Sequence, residues 1–106
     1  MIDDRQVESY LVALAGSDEK YGLLWGQVEA TEHIAKQAEA LAFLKSGGTV
    51  AERQSAARTE PKVKDAWEAH ANAIADYRTL QAQRKTAELH IDVWRTQSAS
   101  RRQGNV

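Results

Sequence analysis

The sequence has no cysteine, a single proline, one phenylalanine and one methionine among its 106 residues. Without cysteine there is no disulfide framework, no thiolate metal site and no thiol nucleophile. With one proline, Pro61, almost nothing forbids long helices. Large apolar side chains are scarce: much of the 42% hydrophobic content is alanine. Alanine favours helix and lets helices approach closely, but it buries little area. No apolar run approaches the ~20 residues of a membrane span, and the Met1-Ile2-Asp3-Asp4-Arg5 start lacks a signal-peptide pattern. A soluble, cytoplasmic protein is expected.

What is present is helical. The expected fold is all-α: an antiparallel helical hairpin with one long coiled-coil-like C-terminal helix, plus short N-terminal and tip helices. Residues 1–100 read as a single hairpin domain and 101–106 as a flexible basic tail. Asp3 or Asp4 caps a first helix whose apolar stripe is Val7, Tyr10, Leu11 and Leu14. Gly16-Ser17 then interrupts, with Ser17 as the next cap. The second helix runs from about Asp18 to Lys45 on Tyr21, Leu24, Val28, Ala35, Ala38, Leu41 and Leu44, its face widened by Trp25, Ile34 and Phe43. Gly22 and Gly26 lie one turn apart, as a close helix approach would require. Ser46-Gly47-Gly48 ends it, and Thr49-Val50-Ala51-Glu52 is a capping box for a short third helix to about Arg58. Thr59-Glu60-Pro61 reads as a cap followed by proline in a first helical turn.

The last helix is expected from Pro61 to about Ser100. Its seam is Val63, Trp67, His70, Ile74, Tyr77, Leu80, Arg84, Ala87, Ile91 and Trp94. Three- and four-residue steps alternate along it, with one extra step of three at Tyr77–Leu80. A lone helix of this length is not stable, so it must pair. Folding back on the second helix places Trp67 near Phe43 and Leu44, Trp94 near Tyr21 and the first helix, and Glu29 and Glu32 near Arg78 and Arg84. The apolar positions Trp67, Ile74, Tyr77, Leu80, Ile91 and Trp94 are the expected homo-oligomer interface.

Catalytic constellations are lacking. Glu29, Glu32 and His33 loosely resemble a carboxylate-bridged metal site, but no second helix offers a matching Glu-x-x-His, so they read as a solvated face. His70 reads as a satisfied interface histidine, and His90 lies on an exposed face between Glu88 and Asp92. Gly47-Gly48-Thr49 lacks the lysine and the preceding strand of a phosphate loop. No catalytic residue, metal or cofactor is assigned, and an enzyme is not expected.

Charge is the remaining lead. Net charge is −1, yet residues 1–60 hold ten acids and six bases while 61–106 hold five and eight. Lys36, Lys45, Arg53, Arg58, Lys62 and Lys64 gather around the hairpin tip, and Arg95, Arg101 and Arg102 near the C-terminus. Repeated in an oligomer, such clusters make a backbone-tracking surface for nucleic acid.

The alanine-rich stretch Glu32–Leu44, then Lys45-Ser-Gly-Gly-Thr-Val-Ala-Glu-Arg53, Ala87-Glu-Leu-His-Ile-Asp-Val-Trp-Arg95 and Arg101-Arg-Gln-Gly-Asn105, resembles a group of small tailed-phage proteins. These are distantly similar to the UvsY-type recombination mediators. The resemblance implies a DNA-recombination accessory that oligomerises through its C-terminal helices. It would bind single-stranded DNA and help load a recombinase where single-strand-binding protein covers the strand. In that family a basic pair before the Gly-containing loop contacts DNA; here Glu39-Ala40 stands there, flanked by Lys36 and Lys45. Two other outcomes fit the residues: a protein-binding adaptor or inhibitor of a host factor, and a phage structural assembly protein.

Overall fold

The computed structural model describes residues 2–104. It is all-α: α1 (Asp4–Lys45), α2 (Val50–Thr59) and α3 (Pro61–Gly104), with α1 and α3 pairing antiparallel. The chain forms two compact units. One comprises the chain up to Gly22 and from Arg78 onward, the other Leu23–Tyr77.

Caps follow the sequence closely. Asp3 closes the N-terminus of α1 reciprocally: its carboxylate accepts from Gln6 N at 2.8 Å while its own N–H donates to Gln6 Oε1 at 3.0 Å. Thr49 caps α2, its hydroxyl accepting from Glu52 N at 3.2 Å. Pro61 is the first residue of α3, where its missing N–H costs nothing. The capping side chain there is that of Glu60, whose carboxylate accepts from Val63 N at 3.2 Å. Between α1 and α2 only Gly48 has a positive φ, 102°. A Cβ at that position would run into the Glu52 side chain. Gly48→Ala is therefore expected to cost about 1–3 kcal/mol, read as a lower thermal midpoint by circular dichroism; Gly47→Ala, with open space around it, serves as the milder control.

The seam of α3 is the one its spacing predicts. Val63, Ala87 and Ile91 are buried and Trp67, His70, Ile74, Tyr77, Leu80, Arg84 and Trp94 are half-buried, while the positions between them are mostly exposed. On α1 the expected stripe is covered only in part: Tyr21, Leu24 and Phe43 are half-buried as expected. Val28, Thr31 and Ala35 are buried and Ala38 and Ala42 half-buried, but Trp25, Ile34, Leu41 and Leu44 remain 48–72% exposed. The hydrophobic core is thin: half of its buried residues are alanine, and Val63 is the largest side chain fully enclosed. Small residues bring the backbones together and leave the leucines outside.

Three further expectations are corrected. First, α1 does not break at Gly16-Ser17. A helical glycine costs only about 1 kcal/mol relative to alanine, and packing overrides that. Arg84 of α3 donates to the Leu14 carbonyl at 3.0 Å and to Ser17 Oγ at 2.7 Å, and the Ser17 hydroxyl donates to the same carbonyl at 3.1 Å. Ser17 is thus tied to the preceding turn and starts no helix. Second, α3 remains helical through Arg101 and Arg102 to Gly104; Asn105 and Val106, where the expected tail ends, lie outside the described residues. Third, a Cβ on Gly22 or Gly26 would meet nothing within 4 Å, so among the described residues no helix packs against those two glycines.

The pairing register is also shifted. In the Leu23–Tyr77 unit, Trp25 stands opposite Tyr77 with ring centroids 5.1 Å apart, and Thr31 opposite His70. Trp67, one turn before His70, therefore lies level with the Ile34 turn rather than with Phe43 and Leu44. In the other unit Arg84 pairs with Asp18 at 2.8 Å, not with Glu29 or Glu32, and Trp94 Nε1 donates to Asp4 at 2.9 Å, at the start of the expected first helix but away from Tyr21. His90 is half-buried there, stacked on Tyr10 at 4.7 Å, and so leaves the exposed face expected for it.

Candidate nucleic-acid interface

The basic residues of the Leu23–Tyr77 unit come from three places: the last turns of α1, α2, and the first turn of α3. They do not all remain available. Lys36 is held by Glu32 at 2.9 Å, and that contact keeps the Glu32 carboxyl below its usual pKa, through the hydrogen bond and charge of Lys36 first and the charge of His70 last. Arg53 is half-buried with its guanidinium 5.8 Å from the Phe43 ring centroid. Its Nε is buried with no hydrogen-bond partner among the described residues. Arg53 thus fastens α2 to α1 through a cation–π contact, with Ala57 buried beside it.

Lys45, Arg58, Lys62 and Lys64 are exposed. Among the described residues none of these four pairs with a carboxylate; the ion pairs there are Lys36–Glu32, Arg84–Asp18 and Arg95–Asp92. Lys45 and Lys62 line one cleft of about 320 Å³ together with Leu41, Ser46 and Glu60. The helix field separates the four into two kinds. Lys45 and Arg58 sit in last turns, where a cation is favoured. Lys62 and Lys64 sit at the start of α3, the positive end of its dipole, and no acidic residue occupies that first turn. The dipole disfavours two ammonium groups at that place, an effect the capping Glu60 carboxylate partly offsets; an anionic partner would favour them. Because Glu60 already takes the Val63 amide, a phosphate would meet the lysine side chains rather than the helix amides.

The second basic group lies in the other unit. Arg95 reaches Asp92 at 3.7 Å, while Arg101 and Arg102 are exposed in the last turn of α3, where the dipole favours them. Their placement needs no ligand to explain it.

The expected oligomer residues Trp67, Ile74, Tyr77, Leu80, Ile91 and Trp94 all fall on the seam within the chain, Ile91 buried and the rest half-buried. What they leave accessible is therefore limited. The polar residues of that seam are satisfied internally. Thr31 Oγ1 donates to the Gln27 carbonyl at 2.8 Å and the Val28 carbonyl at 3.1 Å, and lies 3.1 Å from His70 Nδ1. The Trp67 ring lies edge-on to His70, 5.7 Å between centroids. Sequence reading singled out His70 but missed Thr31, whose spacing from Val28 and Ala35 was the available signal.

Among the described residues no group of three or more His, Asp or Glu side chains has a geometry that holds a metal ion, and no helix is long and apolar enough to cross a membrane. No protein-family model, curated protein or solved structure matches the chain.

Proposed function

We propose that the protein is a non-catalytic DNA-recombination accessory of the mediator type. It self-associates, binds single-stranded DNA through Lys45, Arg58, Lys62 and Lys64, and assists recombinase loading on strands covered by single-strand-binding protein. Phage origin and residence in the host cytoplasm belong to the same reading. The observation that carries it is the pair Lys62 and Lys64, unpaired among the described residues and set where the α3 dipole opposes a cation. Phosphate backbone is the partner such a charge arrangement attracts, without base readout. The resemblance to small tailed-phage proteins supports the same direction.

The test is fluorescence anisotropy with labelled oligo-dT across a salt series. Binding at ~50 mM salt that weakens log-linearly with salt is expected, with a slope near −0.7 per phosphate contact. An absence of binding at low ionic strength sinks the DNA reading. One observation favours a second reading, a protein-binding adaptor or inhibitor: Leu23, Ile34, Leu41 and Leu44 are all more than half exposed. That reading predicts a stable complex with a protein and no affinity for DNA.

A further inference from the structure

In the Leu23–Tyr77 unit, α1 carries a second stripe turned away from α3. Leu23, Ile34, Leu41 and Leu44 are 68%, 56%, 55% and 72% exposed. With Gly26 and Ala30, and across a seven-residue step that passes over Gln37, they fall on one face of the helix at 100° per residue. The buried residues of α1 in this unit, Val28, Thr31 and Ala35, occupy a different arc and meet α3. The helix is thus apolar on two sides, and this chain covers one of them.

We infer that this second stripe is the self-association surface, and that α1 of one copy lies antiparallel against α1 of another. The inference rests on the self-association proposed above and specifies its face. Two features identify a second copy as the occupant. The stripe is self-complementary about a two-fold axis near Ile34. Leu23 faces Leu44, Leu41 lies over Gly26, and the two Ile34 side chains meet at the axis. Gly26 has open space around the place of a Cβ, so the leucine of the second copy has room, and the helix-weakening glycine gains a reason. Charge then selects the direction. Parallel pairing would set Lys45 against Lys45, each beside the Lys62 of its cleft; antiparallel pairing separates these ends, and like charges directly opposed are unfavourable.

The absence of native cysteine makes the test direct. The full chain is examined by light scattering, and single-cysteine variants are mildly oxidised. A mass twice the 11.8 kDa of the chain is expected, with Ile34→Cys forming a disulfide between copies and Leu44→Cys linking to Leu23→Cys in a mixture but not to itself. Ile34→Glu with Leu41→Glu should give a monomer of unchanged helicity, since both residues are exposed within the chain. A wild-type monomer at ~100 μM, or a dimer that the double glutamate variant leaves intact, overturns the inference; self-linking of Leu44→Cys overturns the antiparallel arrangement. Oligo-dT binding is read separately on each species. A monomer that binds DNA refutes only this surface, and a dimer that does not bind refutes only the DNA function.

Discussion

Arg84→Ala is expected to lower stability by about 3 kcal/mol, the largest effect of any single substitution of a charged residue in this protein. The side chain is only 18% exposed and makes four contacts at once. Two are hydrogen bonds from Nη1, to the Leu14 carbonyl at 3.0 Å and to Ser17 Oγ at 2.7 Å. A bond to a charged group contributes on the order of 1.5–3 kcal/mol, less when it shares a donor. The guanidinium also lies 4.7 Å from the Tyr21 ring centroid, which adds about 1 kcal/mol. The pair with Asp18 adds least, because Asp18 is 67% exposed and its carboxylate stays hydrated.

Arg84→Lys should recover little, since one ammonium cannot span the carbonyl, the hydroxyl and the ring together. Asp18→Asn should cost under ~1 kcal/mol. Thermal melting by circular dichroism at matched protein concentration checks all three. For a domain of this size 1 kcal/mol moves the midpoint by roughly 4–8 °C, so a shift of more than 10 °C is expected for alanine. A shift below 2 °C would show that α1 bridges Gly16 without the clamp.

Lys62→Glu with Lys64→Glu is expected to move two observables in opposite directions. Each lost phosphate contact flattens the log–log salt slope by about 0.7 for a single strand. Two losses, made worse by repulsion from the new carboxylates, should weaken oligo-dT binding about 100-fold at ~50 mM salt. Stability should rise, because carboxylates in the first turn of α3 suit its dipole, by about 0.3–1 kcal/mol each. Ordinary solvated lysines would give the stability gain without the loss of DNA affinity. That outcome removes these two residues from the interface. A simultaneous fall in both would mean that the substitutions damage the fold and that the lysines contribute to it.

The contrast between these two sites reflects how much of each was legible in the sequence. Lys62 and Lys64 could be placed at a helix start from Pro61 alone, because proline without an N–H is tolerated there and not deeper in the helix. Arg84 could be placed on the seam by its spacing from Leu80 and Ala87, but not matched to Asp18. Its partner depends on the pairing register, and in the expected register the same guanidinium faced Glu29 and Glu32.

Local chemistry, then, was determined by the sequence itself: the all-helical class, the caps at Asp3 and Thr49, the stop at Gly48, and the covered face of α3 from Val63 to Trp94. Each depends on residues within one or two turns, where spacing and hydrogen-bonding capacity leave few choices. The tertiary structure decided three other matters: that α1 passes through Gly16, that it slides to set Thr31 against His70, and that its alanine stripe rather than its leucine stripe meets α3. The reason is the composition. An alanine seam has no large knobs to single out a register, so pairing is set by a few specific contacts, those of Arg84, His70 and Trp25. A helix with apolar residues on two sides does not itself indicate which side its neighbour will take; the close approach that alanine permits settles it, and the leucines are left for another surface.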